Sequence, residues 1–526
     1  MPATAMDMTV VQSEAMAENR QSEIQSFYND ATVFLTGATG FLGTMILEKL
    51  MRTCSIKRIY ILIREKKGKT PEERFKDLFN NSVFELMKKQ TPNYLEKISA
   101  VIGDCGLPEM GIGEQYQEIL KNEVNVIIHS AATVRFDEHL RLAMNINVVG
   151  LQYLLKMCKD MKNLKSFVHI STAYSQCSIR KEIDEVFYEP PLTGDQLVQI
   201  VNNLDDEYIK ILTPSLLKEF PNTYTFTKAI AESEVLTMGK GLPVGMIRPS
   251  MIIGTESEPV PGWINNYYGP TGITAAAGIG LLRVMLADPN AIAEIIPGDF
   301  VSNAVLSCAW DIHNKWIEHK KTVNGNVFDR DSYTPSIYNL VSSNMNQLKW
   351  REFVSINKCH GTKIPIDKMI WPIMLKLTPN KYLYTVLCFL LHTLPAYVLD
   401  SLAKLVGKRP RLMKEYEKLH KYTDILKYFA LNSWKWNEPN TQALISRMSK
   451  EDRTLFNFDI SLISWDDYFF NSVRGIRKYI FREESLDTVP QGLKHVKRLY
   501  MIYYTLIAFL VAFALLIIYL LFLLFN

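Results

Sequence analysis

Tyr224 and Lys228 stand four residues apart in NTYTFTKAIAE, a spacing that puts both side chains on one face of a helix. A phenol beside an ammonium is an acid–base pair. The ammonium stabilises the phenolate, lowers a pKa that otherwise lies near 10, and brings the tyrosine into range for proton transfer at neutral pH. The run HISTAY supplies a hydroxyl to hold the substrate oxygen, with Thr172 the first choice and Ser171 the second. Asn147, in NINVVG, is placed to hold the lysine through water. Alone, Tyr-x-x-x-Lys is equally an ordinary amphipathic helix. Here it follows a glycine-rich turn and a strand that ends in hydroxyls.

That turn is Thr36-Gly37-Ala38-Thr39-Gly40-Phe41-Leu42-Gly43, between the apolar run ATVFL and a helix-length stretch. Backbone N–H groups at such a turn can approach a pyrophosphate at the positive end of the helix. Gly37 permits the tight turn, Gly40 the close phosphate approach and Gly43 the close packing of helix on strand. The motif predicts a dinucleotide cofactor. Arg64 follows IYILI, where an acidic residue would select the ribose 2′-OH; an arginine pairs instead with a 2′-phosphate. With Lys66 or Lys67 as helpers, this favours NADPH, although the adjacent Glu65 keeps NADH open. Asp104, closing SAVIGD, is a candidate acceptor for the adenine amino group. Ala131 and Ala132, after VIIHS, are small enough for a cofactor to lie over the strand ends, and Pro249, closing GMIRP, is placed with them.

Six short apolar runs carry these residues: ATVFLTG, IKRIYILIR, ISAVIGD, VNVIIHSAA, LKSFVHIST and LPVGMIRPS. Apolar residues at consecutive positions suit strands buried on both faces. Alternation with helix-length stretches predicts an α/β fold, a Rossmann-type doubly wound parallel sheet, over residues 30–330. Residues 1–29 read as a polar N-terminal segment without a signal-peptide core, so secretion is not expected. The Gly-, Pro- and aromatic-rich stretch from Glu256 to Gly298 reads as a substrate-side excursion rather than core. Residues 350–480 read as a mainly helical C-terminal domain. Within it, Tyr382 to Leu399 is nearly all apolar, as well suited to an interfacial or re-entrant helix as to a core one. Leu499 to Phe525 carries no charge over 27 residues and is expected to be a C-terminal transmembrane helix, a single-pass anchor. Lys494, His495, Lys497 and Arg498 precede it, which places the bulk of the chain in the cytosol.

The totals agree. With 59 Lys and Arg against 55 Asp and Glu over 526 residues, the charge is too even for a chain that works on nucleic-acid phosphates. Seven scattered cysteines without a C-x-x-C pair predict neither a disulfide framework nor a zinc module, so no metal is expected.

Together, VFLTGATGFLG, HSAATVRFDE, FVHISTAY, NTYTFTKAIAE, IRPSMIIGTESEPVPGWINN and IPGDFVSN resemble the alcohol-forming fatty acyl-CoA reductases, in a form whose length is similar to the insect members. The resemblance covers essentially the whole chain. It implies four-electron reduction of a long-chain acyl-CoA to a primary alcohol by two NADPH, through a bound aldehyde. Tyr224 and Thr172 would hold the carbonyl oxygen, and Tyr224 would give the proton. It implies membrane lipid as a neighbour, with the endoplasmic reticulum favoured over the peroxisome, and leaves homo-oligomerisation open. A hydroxysteroid-type dehydrogenase would share the turn and the tyrosine but not the helical addition. A non-catalytic NADP-binding scaffold would not need Tyr224, Lys228 and Thr172 together.

Overall fold

The structure, a computed structural model, describes residues 22–322, 332–483 and 486–525. The polar stretch 1–21 and the expected end of the first domain at 323–330 lie outside the described residues. Among the described residues, seven strands build one parallel sheet: β1 (Thr32–Thr36), β2 (Arg58–Ile63), β3 (Ile98–Ile102), β4 (Val126–His129), β5 (Ser166–Ile170), β6 (Val244–Pro249) and β7 (Ser336–Leu340). Their order is β7-β6-β5-β4-β1-β2-β3. Val33, Leu35, Ile59, Ile61 and Ile128 enter one apolar cluster, whereas Phe34, Tyr60, Leu62 and Ile127 enter another on the opposite face. Alternate residues of each strand thus bury on opposite sides, which is why apolar residues occupy consecutive positions. The strands β1 to β6 coincide with the six runs. Strand β7, which pairs with β6 from Ser336↔Gly245 to Leu340↔Pro249, has no counterpart among them.

The helices used below are α1 (Glu23–Tyr28), α2 (Phe41–Thr53), α3 (Pro71–Leu78), α4 (Thr223–Gly239), α5 (Pro270–Gly278), α6 (Gly298–Thr322), α7 (Trp350–Lys363), α8 (Lys381–Leu405), α9 (Leu412–Leu431) and α10 (Val489–Phe525). Helices α2 and α6 pack on one face of the sheet and α4 on the other. Strands β1 and β4 are neighbours although β2 and β3 separate them in sequence. The chain reverses its winding there, which opens a crevice at the carboxyl ends of both strands.

Two stretches are better packed than the sequence suggests. Helix α1, inside the polar N-terminal segment, buries Ile24, Phe27 and Tyr28. It is fastened to the far region by Asp452, whose Oδ1 accepts from Ser22 Oγ at 2.5 Å and from the Ile24 amide at 3.2 Å. The 256–298 excursion is core as well as loop. Trp263, Ile264, Ile273 and Leu282 are buried, and the Asp299 carboxylate accepts the amides of Glu256, Ser257 and Glu258 at 2.9–3.0 Å. This carboxylate satisfies the backbone of the turn that opens the excursion, and Thr255 Oγ1 adds to it by accepting the Trp263 amide at 2.8 Å.

Among the described residues, two helices, α8 and α10, are long and apolar enough to cross a membrane. Helix α10 has 37 residues, or about 55 Å at 1.5 Å per residue. Gly492, Val496 and Leu499 near its start are buried, the last two against Met369 and Ile373; the apolar remainder stands free and is suited to anchor the chain in a membrane. Along α8, Tyr382 and Leu405 are 85% and 83% exposed, so this helix is not a core helix.

Candidate active site

The glycine turn sits at the crevice between β1 and β4. Gly37 has φ +77°, and a Cβ there would lie 2.7 Å from the Ala131 amide nitrogen. A Cβ on Gly43 would lie 2.2 Å from the Gly37 carbonyl oxygen, so α2 can approach the turn only through glycine. Gly40 is the N-cap of α2 and gives it no side-chain cap, which leaves the first amides of the helix for an anionic ligand. Thr36 ties the two strands together. Its Oγ1 accepts the Ala131 N–H at 3.1 Å and is hydrogen-bonded with His129 Nδ1 at 2.8 Å. Burial pushes His129 down to about 3, with Lys228 adding to the effect, so this imidazole is a neutral structural link. Phe41 stacks on Trp263 at 5.4 Å, which fixes the start of α2 against the excursion, while Leu42 is buried behind it.

At the ends of β2 and β3, Arg64 Nη1 donates to Asp104 Oδ2 at 2.8 Å, and Asp104 Oδ1 accepts the Gly106 amide at 2.9 Å. Arg74 on α3, which the sequence motifs do not single out, comes to the same place. It donates to the Arg64 carbonyl at 2.5 Å and to Thr39 Oγ1, inside the glycine turn, at 2.9 Å. Burial, then the Arg64 and Arg74 charges, hold Lys66 below the usual lysine range. Two guanidiniums and an ammonium thus converge beside the turn, with one carboxylate between them. The donor set fits a phosphate on the adenosine ribose.

Helix α4 starts where Asn222 Oδ1 accepts the Thr225 amide at 2.9 Å, an N-cap that fixes the phase of Tyr224 and Lys228. Lys228 is buried, and its Nζ donates to the Ile170 carbonyl at the end of β5 at 2.6 Å. Burial lowers it to about 8. Tyr224 moves the other way. Burial raises its phenol to about 12, partly offset by a hydrogen bond from Thr172. This corrects the expected lowering by Lys228: burial sets the direction of the shift, and the ammonium is engaged by a backbone carbonyl. A phenol that keeps its proton at neutral pH is the form that can donate one.

The structure brings Thr172 and Tyr224 together and sends Ser171 elsewhere. Ser171 Oγ donates to Glu232 Oε1 at 2.6 Å, as do Ser175 Oγ at 2.7 Å and Arg248 Nε at 2.9 Å. Asn147 lies on a single π-helical turn, Asn145–Val149. Its Oδ1 accepts the Thr133 amide at 3.0 Å and its Nδ2 donates to Thr227 Oγ1 at 3.0 Å. Its direct partners are thus the loop after β4 and the residue before Lys228. Pro249 closes β6, and its carbonyl accepts the Ala173 amide at 3.0 Å.

An aromatic wall faces the phenol. Phe136 stacks on Tyr224 at 5.8 Å and meets Phe429 at 5.5 Å; Phe429 contacts Tyr174 at 4.8 Å. Phe429 belongs to α9, so the C-terminal region closes the site. Trp434 and Trp436 fasten it there by donating to the carbonyls of Cys177 at 2.6 Å and Ala173 at 3.0 Å. No motif places Phe429, Trp434 and Trp436 at the site, because their contacts with it span more than 200 residues of chain.

Away from this site, Cys388, His392 and His420 cluster between α8 and α9. Cys388 Sγ and His392 Nδ1 lie 3.2 and 3.1 Å from His420 Nε2. The Arg283 amide donates to His392 Nε2 at 3.0 Å, which places the imidazole proton on Nδ1. That nitrogen is a hydrogen-bond donor to its neighbours and lacks the lone pair a metal needs.

Comparison with known proteins agrees with this geometry. Residues 35–305 match an NAD-binding family described as male sterility protein, and residues 391–483 match a second family of the same description. The chain is 41% identical over 494 residues to "Fatty acyl-CoA reductase wat" of Drosophila melanogaster, covering 94% of this chain and 92% of that one. It is 36% identical over 477 residues to "Fatty acyl-CoA reductase 1" of Mus musculus, covering 90% and 89%. Among solved structures, the terminal R domain of the myxalamid PKS-NRPS pathway aligns with TM-score 0.53 at 19% identity over 89% of this chain and 97% of that one, a likeness of fold. The likeness to these fatty acyl-CoA reductases runs along nearly the whole length, and the chain belongs to the fatty acyl-CoA reductase family.

Proposed function

We propose that this chain reduces long-chain fatty acyl-CoA to primary fatty alcohol, with two NADPH consumed and CoA released. One observation carries the reading: the Tyr224 phenol, protonated and hydrogen-bonded to Thr172, lies between a dinucleotide cradle and an aromatic wall. NADPH fits that cradle, because Gly37 and Gly43 leave no room for a Cβ and Arg64 and Arg74 meet beside it. When bound, it supplies hydride.

The chain supplies the rest. The hydroxyls of Tyr224 and Thr172 hold the thioester carbonyl oxygen and stabilise the charge that develops on it. Tyr224 then gives its proton to the oxygen of the aldehyde in the second reduction. Lys228, fixed on the Ile170 carbonyl, keeps a positive charge under the phenol as that proton leaves. Phe136 and Phe429 keep water from the aldehyde between the two steps. The basic residues Lys494, Lys497 and Arg498 before the apolar part of α10 support a cytosolic site on a membrane, for which we favour the endoplasmic reticulum.

The test is NADPH oxidation by detergent-solubilised protein given hexadecanoyl-CoA, with the lipid products identified. Hexadecanol at two NADPH per CoA is the expected outcome. Aldehyde at one NADPH would remove the second step, and no product would remove the reading. Tyr224→Phe should lower turnover by about 10²–10⁴-fold while NADPH binding persists.

A further inference from the structure

Helix α8 turns apolar side chains outward. Tyr382, Val386, Leu390, Leu394 and Tyr397 follow one another at intervals of three or four residues, and each is 41–85% exposed. Leu402 and Leu405 extend the row. A continuous apolar stripe on one side of a surface helix marks contact with an apolar neighbour.

The other side is tied to the body. His392, Ala396 and Asp400 are buried at four-residue intervals. His392 Nε2 accepts the Arg283 amide, and its ring stacks on Tyr416 of α9 at 4.8 Å. Asp400 accepts the Arg411, Leu412 and Met413 amides at 3.0–3.1 Å, which closes the start of α9. Rolling the stripe inward would leave these groups unpaired. Spanning a bilayer would carry them into hydrocarbon. The helix is therefore fixed along α9 with its stripe outside.

Charge and position identify the neighbour. From Lys376 to Arg411 the chain holds six basic residues, Lys376, Lys381, Lys404, Lys408, Arg409 and Arg411, all exposed, and a single acidic one, the Asp400 cap. A second copy of this chain would bring two such cationic rims together, whereas anionic lipid headgroups complement one. Helix α8 also sits where α10 leaves the body. Tyr503 of α10 meets Trp371 at 6.0 Å, the Arg283 guanidinium lies over Trp371 at 5.3 Å, and the Arg283 amide holds His392. Beyond Tyr503 every residue of α10 to Phe525 is exposed.

We infer that α8 is a second membrane contact, lying in the plane of the bilayer surface with its stripe among the acyl chains and its basic rim at anionic headgroups. This rests on α10 being the anchor and not on the reaction. Held at two places, the body cannot swivel about α10, and α8 fixes which side of it meets lipid.

The test uses the full-length protein in phosphatidylcholine vesicles, with and without phosphatidylserine, and a phospholipid that is photoreactive within its acyl chain. Helix α10 is the internal reference. The parent should label on α8 as well, with an α8-to-α10 ratio that rises when phosphatidylserine is present. Val386→Asp combined with Leu390→Asp should cut the ratio tenfold or more, while α10 labelling and the thermal melt in detergent stay as in the parent. Lys404→Glu combined with Lys408→Glu should remove the rise, because each basic residue at an anionic surface is worth about fivefold (roughly 1 kcal/mol). Label confined to α10, label on α8 unmoved by the aspartates, or lysine cross-links joining α8 of two copies in place of lipid label overturns the contact. A parent ratio unmoved by phosphatidylserine overturns the headgroup part of it. Absence of label from α10 overturns the anchor itself, which is a separate result.

Discussion

Arg248 and Glu232 meet through two parallel hydrogen bonds, Nε to Oε1 at 2.9 Å and Nη2 to Oε2 at 2.8 Å, with both side chains closed off from solvent. Burial alone would raise the Glu232 carboxyl, but the guanidinium and the Ser171 and Ser175 hydroxyls hold it below the usual range. The pair joins α4 to the end of β6 and fixes the loop that presents Thr172. Glu232→Gln strands a buried guanidinium and should destabilise the protein by about 3–5 kcal/mol. A thermal melt matching the parent's would show that the pair does not hold this loop.

Arg74 should read the cofactor. Its guanidinium reaches Thr39 and lies against Arg64, a position where a 2′-phosphate would take up charge-assisted bonds worth roughly 1.5–3 kcal/mol. Arg74→Ala should raise the KM for NADPH by roughly 10–100-fold and leave that for NADH nearly unchanged. An equal rise for both cofactors would assign Arg74 to folding of the turn.

The Lys228 ammonium titrates near 8 because it is buried. Below that pH it carries the charge that supports proton donation by Tyr224; above it the amine is neutral. Turnover should therefore fall as pH rises through about 8, with Tyr224 still protonated. Lys228→Met should be slow throughout and lack this alkaline limb. A limb that persists in that variant belongs to another group.

Glu294 and Glu438 are each raised to about 7, chiefly by burial, against roughly 4.3 in an unfolded chain. Between those values the folded protein holds protons that the unfolded chain has released, so stability falls as pH rises from about 4.5 to 7 and then levels off. Glu294→Gln should remove one contribution. It should be more stable than the parent at pH 8, on the order of 2 kcal/mol, with a smaller gain at pH 5. Denaturant melts at the two pH values measure this, and an equal effect at both would place the proton elsewhere.

The sheet is legible because β1 to β6 are largely buried on both faces and so carry runs of consecutive apolar residues. Strand β7 escaped because Tyr338 and Asn339 interrupt that pattern. Asn339 is held in a strand because Glu185 accepts its backbone amide and the Ile183 and Asn437 carbonyls accept its side-chain Nδ2, partners that no local window contains. Similarly, the glycine turn and the Tyr224–Lys228 spacing are local geometry and can be read directly. Arg74 and Phe429 reach the site through folding alone. The direction of the Tyr224 shift cannot be read from spacing, which reports a neighbouring charge but not the burial that raises the phenol.

The Ser22–Asp452 contact spans 430 residues. During synthesis, the start of the first strand's flank is complete long before its clasp exists. At about 5–20 residues per second the interval is roughly 20–90 s. By then Leu306 and His313, which meet Tyr28 and Phe27, have already emerged, so the apolar stretch is docked first and its Ser22 end is fastened only when Asp452 follows.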